Sequence, residues 1–340
     1  MKLVRYEKNP VISPNPDNAW ESLVTTNPGA WYDPEQGEVK LLYRAAGDDE
    51  DHVIRFGLAT SKNGYDFQRV SDRPVFEPSL DGFDAGCVED PRIVKFGEYY
   101  YVTYATRYYS PGKYWLKTRK PQVWKQNPPE FPYSLRNNTT ATGLAITKDF
   151  KTWLRVGRMT GPLVDDRDVI LFPEKIKGKF AMLHRPMEWA GTAYGTANPA
   201  IWITFSEDML SWPESRLLAK AEQDWELKIG GNTPPIHTQH GWLTLYHAVG
   251  PDGFYRLGAF LLDLSEPWKI THRTKDWILQ PEESYEKEGC YEIGGVVFPC
   301  GKVVIGNTLF VYYGAADKYV GLATCKLEDL ISYLLKCPVS

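Results

Sequence analysis

Short runs of apolar and aromatic residues recur along the chain, and each run ends in a tyrosine or histidine followed by a variable residue. Runs of about four to eight such residues, bounded by Gly, Pro, Asn and Asp, are typical of β-strands. Five copies at roughly 60- to 80-residue intervals indicate a repeat architecture. The copies lie at residues 41–44, 101–104, 182–185, 244–247 and 310–313.

A second apolar strand follows each copy, at residues 56–60, 143–147, 201–205, 258–262 and 321–325. Three of these strands run into the same turn signal, in which Ser61, Thr147 or Ser206 is followed two residues later by Asn or Asp. Such side chains bond the nearby backbone and close a tight turn. Five alternations of two strands predict an all-β, five-bladed β-propeller, with a short C-terminal helix at residues 327–335. We expect a single domain over residues 1–340.

Polar side chains recur at one position of the first strand pattern. Arg44, Arg185, His247 and Tyr313 occupy it in four copies, and Ala105 occupies it in the remaining copy. Singly, each is as easily explained as a surface arginine or a hydrogen-bonded core residue. Because equivalent strand ends of a propeller converge on its central channel, the four together predict a functional ring there.

Residues 86–92 contain two adjacent acids, Glu89 and Asp90, followed by Pro91 and Arg92. Proline fixes its own backbone and restricts the residue before it, so we expect Asp90 to be extended at a strand entrance. A carboxyl group held in this way is a candidate general acid. The simpler interpretation is that both acids cap a turn and pair with Arg92, since structural ion pairs are common.

One segment, at about residues 108–138, lengthens the second copy of the repeat. It contains Trp115, Trp124, five prolines and six Lys or Arg residues, against one acid, Glu130. Long insertions in compact domains are usually lids or contact loops, and the aromatic content argues against a disordered loop. We therefore expect this insertion to cover a binding site or to form a contact in a homo-oligomer.

Composition restricts the functional classes. The 340 residues are 43% hydrophobic, enough for a large core, and the net charge of −4 gives no indication of nucleic-acid binding. The N-terminus lacks an apolar signal region, and no run approaches the length of a membrane span. Five scattered cysteines show neither a disulfide framework nor a zinc spacing, which favours a reducing cytoplasm and no metal site.

Several segments carry recognisable motifs, in order, over nearly the whole chain. They include residues 27–30 (Asn-Pro-Gly-Ala), 89–92 (Glu-Asp-Pro-Arg), 171–176 (Leu-Phe-Pro-Glu-Lys-Ile), 184–186 (His-Arg-Pro), 228–230 (Lys-Ile-Gly) and 312–317 (Tyr-Tyr-Gly-Ala-Ala-Asp). Together they resemble glycoside hydrolase family 130, which comprises β-mannoside phosphorylases and β-1,2-mannosidases. The five-bladed propeller of that family agrees with the repeat count.

The resemblance implies a role for each matching residue. Asp90 matches the proton donor of the family, which is thought to relay its proton through the 3-hydroxyl of the mannose. The implied sugar-binding residues are Asn27, Arg44, Asp317 and Tyr246, and the implied phosphate-binding residues are Arg167, Arg185 and His247. The implied reaction needs no metal and no cofactor, because inorganic phosphate is a co-substrate.

Physical chemistry supports the phosphate assignment independently. An inverting hydrolase needs a base opposite the acid to activate water, whereas phosphate is already an anionic nucleophile and needs a cationic cradle. The planar fork of arginine suits phosphate oxygens. We therefore predict inverting phosphorolysis of β-mannosides, with 1,2-β-mannobiose or 1,2-β-oligomannan as first choice, to give α-D-mannose 1-phosphate. A β-1,4-linked mannosyl-glucose or mannosyl-N-acetylglucosamine is a further possibility.

Two alternatives remain open. A β-1,2-mannosidase would use Glu226, Glu288 or Glu292 as its base, and its rate would be independent of phosphate. A non-catalytic sugar-binding propeller would bind mannosides without turning them over.

Overall fold

Strands in five antiparallel sheets dominate the computed structural model, which describes residues 1–117, 121–289, 291 and 294–339. The first strands of the sheets, at residues 297–305, 24–33, 87–96, 166–171 and 228–231, contact one another in that order, and residues 255–262 of the last sheet contact residues 297–305 of the first. The sheets therefore form a closed ring of propeller blades. The prediction of an all-β, five-bladed β-propeller is confirmed. The side chains of Arg119, Lys120, Cys290 and Glu292, which entered the sequence analysis, lie outside the described residues.

The strands follow one another blade by blade, after an N-terminal strand β1 (Val4–Arg5). Blade 1 contains β2 (Val24–Asp33), β3 (Glu38–Ala46), β4 (Arg55–Ser61) and β5 (Gln68–Arg69), and blade 2 contains β6 (Cys87–Phe96), β7 (Tyr99–Arg107), β8 (Ala141–Thr147) and β9 (Trp153–Arg158). Blade 3 contains β10 (Asp166–Leu171), β11 (Phe180–Pro186), β12 (Ile201–Ser206) and β13 (Ser215–Ala219). Blade 4 contains β14 (Lys228–Gly231), β15 (Ile236–Thr238), β16 (Gly241–Val249), β17 (Tyr255–Leu262) and β18 (Ile270–Arg273), and blade 5 contains β19 (Val297–Ile305), β20 (Thr308–Ala315) and β21 (Tyr319–Lys326).

Strand β1 completes blade 5 and closes the ring. It pairs antiparallel with β21, with Val4 opposite Thr324 and Arg5 opposite Ala323. The outer strand of the last blade therefore comes from the other end of the chain.

Helices are short and lie between or after the strands. The α-helices are α1 (Tyr133–Asn137), α2 (Ser284–Lys287) and α3 (Leu327–Leu334), and single 3₁₀ turns lie at Ala19–Glu21, Val123–Gln126 and Thr192–Tyr194. Helix α3 confirms the predicted C-terminal helix. Within the described ranges, no helix has the length and apolar character needed to cross a membrane.

The repeated strand pattern corresponds to the second strand of each blade, β3, β7, β11, β16 and β20. The predicted hydroxyl turns are present as well. Ser61 Oγ accepts hydrogen bonds from the amides of Asn63 and Gly64, and Asn63 Oδ1 accepts from the two amides that follow. Thr147 and Ser206 begin turns with the same bonding.

A tyrosine–carboxylate–arginine cluster, called a lock below, joins the second and outer strands of four blades. In blade 4, the Tyr246 hydroxyl donates to Glu226 (2.7 Å), and Arg273 on the outer strand donates to the same carboxylate (2.8 Å). The tyrosine ring lies over Gly258, where any Cβ would approach it to 2.5 Å. The other three locks are Tyr43–Glu21–Arg69, Tyr104–Asp84–Arg155 and Tyr313–Glu286–Arg5.

Blade 3 has a variant of this lock. His184 takes the place of the tyrosine, with Nδ1 2.8 Å from Asp166 and Nε2 2.8 Å from the Ser215 hydroxyl on the outer strand. Trp202, rather than a glycine, lies opposite His184 in the ladder. Every blade therefore has a buried tyrosine or histidine on its second strand, and the polar atoms of that side chain are hydrogen-bonded within the blade.

The locks correct three predictions from the sequence. Tyr246 is wrong as a sugar contact and Glu226 is wrong as a hydrolytic base, because both are fully buried and bonded within the lock of blade 4. Tyr313 is wrong as a member of the polar ring, because it lies opposite Gly321 as the lock tyrosine of blade 5. The ring position in that blade is Gly314, where a Cβ would approach Asn27 Oδ1 to 1.7 Å.

Candidate active site

The first strands of blades 1, 2 and 3 each contain a β-bulge at the same place. The register of β2, β6 and β10 shifts there, and the first bulged residue has a positive φ: 43° at Asn27, 52° at Asp90 and 55° at Asp168. A bulge re-aims a side chain out of the regular alternation, and Asn and Asp tolerate this backbone region better than most residues. The bulges therefore place one amide and two carboxylates at equivalent positions around the channel.

Asp90 lies in the bulge of β6 and not in extended backbone, which corrects the expectation drawn from Pro91. Its Oδ1 accepts hydrogen bonds from Asn27 Nδ2 (2.8 Å) and Arg44 Nη1 (3.1 Å). Arg92 does not pair with this carboxylate, since its Nη1 donates to the Asp90 backbone carbonyl. The interpretation of Glu89 and Asp90 as a turn cap paired with Arg92 is therefore wrong.

Two carboxylates share the Arg44 guanidinium, and its charge also acts on a third, Asp317. Arg44 Nη1 lies 3.0 Å from Glu89 Oε2 as well as 3.1 Å from Asp90. Burial alone would raise the pKa of Glu89, but Arg44 and Arg107 outweigh it and lower that pKa to about 2. Burial raises the pKa of Asp317 to about 6, and the charges of Asp90 and Glu89 add to the rise although Arg44 opposes it. Glu89 is therefore a permanent anion, and Asp317 titrates near neutrality.

We expect Asp317→Asn to raise the free energy of unfolding by about 1–3 kcal/mol at pH 7 and to have no effect near pH 4. The reason is that a carboxyl whose pKa is raised on folding loses stability as pH rises from about 4 through about 6. Urea unfolding of both proteins between pH 4 and pH 8 measures the difference.

Asp252→Asn provides a control of opposite sign, because the Arg256 hydrogen bond, with minor opposition from burial, lowers the pKa of Asp252 to about 2. That substitution should slightly destabilise the protein at pH 7. A gain from Asp317→Asn that is equal at pH 4 and pH 7 would contradict the assignment.

Cationic side chains gather on the adjoining side of the channel. Arg167 on β10 and Arg185 on β11 are direct cross-strand partners, so their side chains leave the same face of blade 3. Gly230 on β14 lies against this pair, because a Cβ there would meet Asp168 Oδ2 at 2.3 Å, His247 Cε1 at 2.5 Å and Arg185 Nε at 2.8 Å. The predicted phosphate residues of blades 3 and 4 therefore converge on one place.

Asp168 is the central residue that the sequence analysis missed. Its Oδ2 lies 2.6 Å from Arg185 Nε and 3.8 Å from His247 Nε2, and its Oδ1 lies 3.3 Å from Arg92 Nη2. Burial opposes ionisation, but Arg185 and then His247 and Arg92 outweigh it and hold the pKa of Asp168 well below its usual range. The sequence could have indicated Asp168, because it occupies the same position in the blade repeat as Asn27 and Asp90.

His247 does not supply the positive charge expected of it. Burial, together with Arg185, Lys228 and Arg92, lowers its pKa to about 3 against the opposing charge of Asp168. Its Nδ1 lies 2.7 Å from Asn232 Oδ1, and its Nε2 is buried with no hydrogen-bond partner among the described residues. The neutral imidazole therefore donates through Nδ1 and offers Nε2 as an acceptor.

Lys228 is the further cation, also missed in the sequence although it lies in the Lys-Ile-Gly motif. Burial lowers its pKa, and repulsion from Arg185 and Arg167 lowers it further. Arg167 itself makes a bidentate pair with Asp165, at 2.8 and 2.7 Å. The cluster of Arg92, Arg167, Arg185 and Lys228 against Asp165 and Asp168 retains an excess of positive charge.

Arg92 joins the two halves of the site. It is buried, and it donates to the Asp90 carbonyl (2.9 Å), to the Asn232 carbonyl (3.0 Å) and to Asp168 Oδ1 (3.3 Å). Blades 2, 3 and 4 are therefore connected beneath the site by one side chain. The carboxyl side and the cationic side are parts of one constellation.

A cavity of about 240 Å³ opens beside the carboxyl side. Arg44 and Glu89 form one wall, and Pro111, Tyr114 and Trp124 of the insertion form another. His52, Arg107 and Asn138 are also among the lining residues, and His52 Nε2 is hydrogen-bonded to Tyr291 (2.7 Å). The insertion therefore contributes to the wall of this cavity.

The family follows from comparison with known proteins. A model of glycoside hydrolase family 130, described as beta-1,4-mannooligosaccharide phosphorylase, matches residues 4–140 and 130–336. The chain belongs to glycoside hydrolase family 130. The resemblance inferred from the motifs is confirmed.

Relatives of this family 130 protein match it end to end. A 1,2-beta-oligomannan phosphorylase of Thermoanaerobacter sp. (strain X514) is 36% identical over 338 residues, which cover 97% of this chain and 99% of the relative. A beta-1,2-mannobiose phosphorylase of the same organism is 33% identical over 342 residues, with coverage of 97% and 99%. The solved beta-1,2-mannobiose phosphorylase of Listeria innocua, in complex with beta-1,2-mannobiose, is 28% identical, with a TM-score of 0.77 and coverage of 99% of this chain and 100% of that one.

Most of the residues implied by family 130 membership come together in the structure. The carboxyl side contains Asp90, Asn27, Arg44 and Asp317, and the cationic side contains Arg167, Arg185 and His247. Of the three candidate bases, Glu226 belongs to a blade lock, Glu288 is exposed directly after α2, and Glu292 lies outside the described residues. Among the described residues, no group of three or more His, Cys, Asp and Glu side chains has the arrangement of a metal site.

Proposed function

We propose that this protein is a β-mannoside phosphorylase that cleaves a β-linked mannosyl unit with inorganic phosphate and inverts the anomeric centre. The observation that carries the proposal is the cationic cluster of Arg167, Arg185 and Lys228, which Arg92 links to the backbone of Asp90. Charge-assisted bonds from planar guanidinium groups suit phosphate oxygens. A water nucleophile would need a general base in that place instead.

The proposed roles come from the family resemblance, and the clustering of the residues supports them. Asn27, Arg44 and Asp317 hold the mannosyl ring next to Asp90, and the cationic cluster orients phosphate against the opposite face of C1. An oxygen of phosphate forms the new C1–O bond as the glycosidic C1–O bond breaks. The proton that the leaving oxygen gains originates from Asp90, and the products are α-D-mannose 1-phosphate and a shortened acceptor.

His247 acts in this proposal as a hydrogen-bond acceptor for phosphate and not as a cation. A neutral imidazole with a free Nε2 accepts a hydrogen bond, and the hydroxyl of hydrogen phosphate is the matching donor. Asp168 limits the charge of the cradle and fixes Arg185 by accepting a hydrogen bond from its Nε at 2.6 Å. Because Asp168 neutralises part of the positive charge, bound phosphate can exchange at each turnover instead of remaining bound.

The acceptor of the reaction fits the covered cavity. About 240 Å³ is less than the roughly 300–1,000 Å³ of typical small-molecule pockets, which suits one sugar unit. Trp124 and Tyr114 supply aromatic surface there, and Arg107 and Asn138 supply polar groups. Together with the β-1,2-specific names of the two relatives, this supports 1,2-β-mannobiose or a short 1,2-β-oligomannan as substrate.

Product analysis with 1,2-β-mannobiose, with and without inorganic phosphate, tests the proposal. We expect α-D-mannose 1-phosphate and mannose in equal amounts, with cleavage that requires phosphate. Release of free mannose alone, at the same rate without phosphate, would identify a hydrolase. Saturable binding of mannobiose with no cleavage under either condition would identify a sugar-binding protein.

Arg185→Ala should raise the KM for phosphate by roughly 10–150-fold, the worth of a charge-assisted hydrogen bond of about 1.5–3 kcal/mol. The substitution also leaves the Asp168 carboxylate facing the incoming anion without its 2.6 Å partner. Initial rates with phosphate and mannobiose varied separately measure both constants. A rise confined to the KM for mannobiose would show that Arg185 binds sugar.

The setting of the reaction is part of the same proposal. Phosphate and sugar phosphates are used inside cells, so we place the enzyme in the cytoplasm, with no metal and no cofactor besides the phosphate co-substrate. The insertion provides exposed surface at Leu116, Val123 and Phe131, through which a homo-oligomer would form.

A further inference from the structure

A second cavity, of about 280 Å³, lies on the propeller axis beyond the candidate active site. Its lining begins at Ala30 on β2 and Ile93 on β6, three residues after the bulges at Asn27 and Asp90. At about 3.3 Å per residue, this is roughly 10 Å farther along the channel. All five blades contribute to it, through Trp31, Val94, Pro173, Pro234 and Lys302.

The wall of this axial cavity is largely apolar, and besides Lys302 only Trp31 and Tyr32 bring side chains with a hydrogen-bond donor to it among the described residues. Pro173 and Pro234 have no amide hydrogen. Val94 and Val303 are paired in their ladders, opposite Tyr101 and Phe310. Among the described lining residues, Lys302 is the only charged side chain.

Lys302 is half-buried and forms no ion pair with any described residue, and desolvation lowers its pKa to about 8. The charged groups on neighbouring segments are occupied elsewhere. Lys40 contacts Asp33 (3.3 Å) and Glu38 (3.5 Å), and the pair Glu174 and His237 lies at 3.2 Å. An ammonium group without a counter-ion in apolar surroundings is unfavourable, and a bound anion would relieve that cost.

We propose that the axial cavity binds a small organic monocarboxylate, whose carboxylate pairs with the Lys302 ammonium while its apolar body contacts the prolines and valines. The cavity is close in size to the smallest pockets that hold small molecules, about 300 Å³. A phosphate dianion does not fit this chemistry, because one ammonium cannot replace the many donors that such an ion requires. The site is therefore distinct in ligand class from the proposed phosphate cradle.

Benzoate is a suitable probe, and thermal unfolding together with titration calorimetry measures its binding. We expect saturable binding to the wild type and a rise of Tm with benzoate concentration. Lys302→Met should weaken binding at least tenfold, whereas Lys302→Arg should retain it. Lys95→Met is the matched control, since Lys95 is exposed one residue after Val94 on the same strand. Neither binding nor Tm shift should change in that variant.

Three results would overturn the proposal: no saturable binding of benzoate to the wild type, equal affinity in Lys302→Met, or displacement of benzoate by inorganic phosphate. Lys302→Met should also retain phosphorolysis of 1,2-β-mannobiose, because Lys302 lies outside the proposed catalytic site. The binding measurement itself requires no catalytic activity, so it stands or fails separately from the proposed function.

Discussion

Asp90→Asn is expected to lower kcat by roughly 10²–10⁴-fold, the usual contribution of a general acid. The amide has the shape of the carboxyl, and its oxygen still accepts from Asn27 and Arg44 as Asp90 Oδ1 does at 2.8 and 3.1 Å. Sugar binding should therefore survive while the proton is lost. Rates with 1,2-β-mannobiose and phosphate, combined with calorimetric binding of mannobiose, separate the two effects.

Glu89→Gln is the matched control for that experiment. Glu89 is the adjacent carboxyl on the same strand, but Arg44 and Arg107 overcome its burial and hold its pKa at about 2. It is ionised at neutral pH and has no proton to give, so its substitution should cost less than about tenfold in kcat. If Asp90→Asn kept more than about a tenth of the wild-type rate, Asp90 would not be the acid.

Glu226→Gln is expected to lower the free energy of unfolding by roughly 3–5 kcal/mol, the cost of breaking a buried ion pair. Both carboxylate oxygens of Glu226 bond Arg273, at 2.9 and 2.8 Å. Tyr246 and the amides of Glu222 and Gln223 donate to it as well. Stabilities of 5–15 kcal/mol are typical of domains, so a large share of the stability depends on this group. Urea unfolding monitored by tryptophan fluorescence provides the measurement.

Glu222→Gln tests the same arginine from its exposed side. Glu222 lies 3.2 Å from Arg273 but is half exposed, so its loss should cost less than about 1 kcal/mol. Equal effects of the two substitutions would show that burial in the lock is unimportant. Activity per folded molecule should be unchanged in Glu226→Gln, and a loss of turnover in fully folded protein would restore Glu226 as a candidate base.

The propeller could be predicted because each blade repeats the same two strands at readable positions. The register of blade 5 could not be predicted from those strands alone. Tyr312 and Tyr313 are adjacent and fit the pattern equally well. The glycine that faces the lock tyrosine, Gly321 in blade 5 and Gly258 in blade 4, decides between them. Pairing partners on the next strand were therefore the missing signal.

The membership of the site was predictable to a large extent, but its charges were not. Asp90, Arg44 and Arg185 were named from motifs and repeat positions. The neutral state of His247 depends on burial and on three nearby cations, two of which, Arg92 and Arg185, come from other blades. Asp168 was missed because its bulge has no proline, in contrast to those of Asn27 and Asp90. Such features are set by the packing of distant segments, and a linear motif does not contain them.

The pairing of β1 with β21 determines when the ring of five blades can close during protein synthesis. Val4 pairs in the ladder with Thr324, and Arg5 forms an ion pair with Glu286. The first strand to be synthesised therefore has no partner until the last blade has been synthesised. Contacts so distant in sequence form late because the loop they close is long. A nascent chain with only four blades therefore cannot close the ring and has an unpaired blade at each end. The pairing of β1 with β21 in blade 5 is the last step of ring closure.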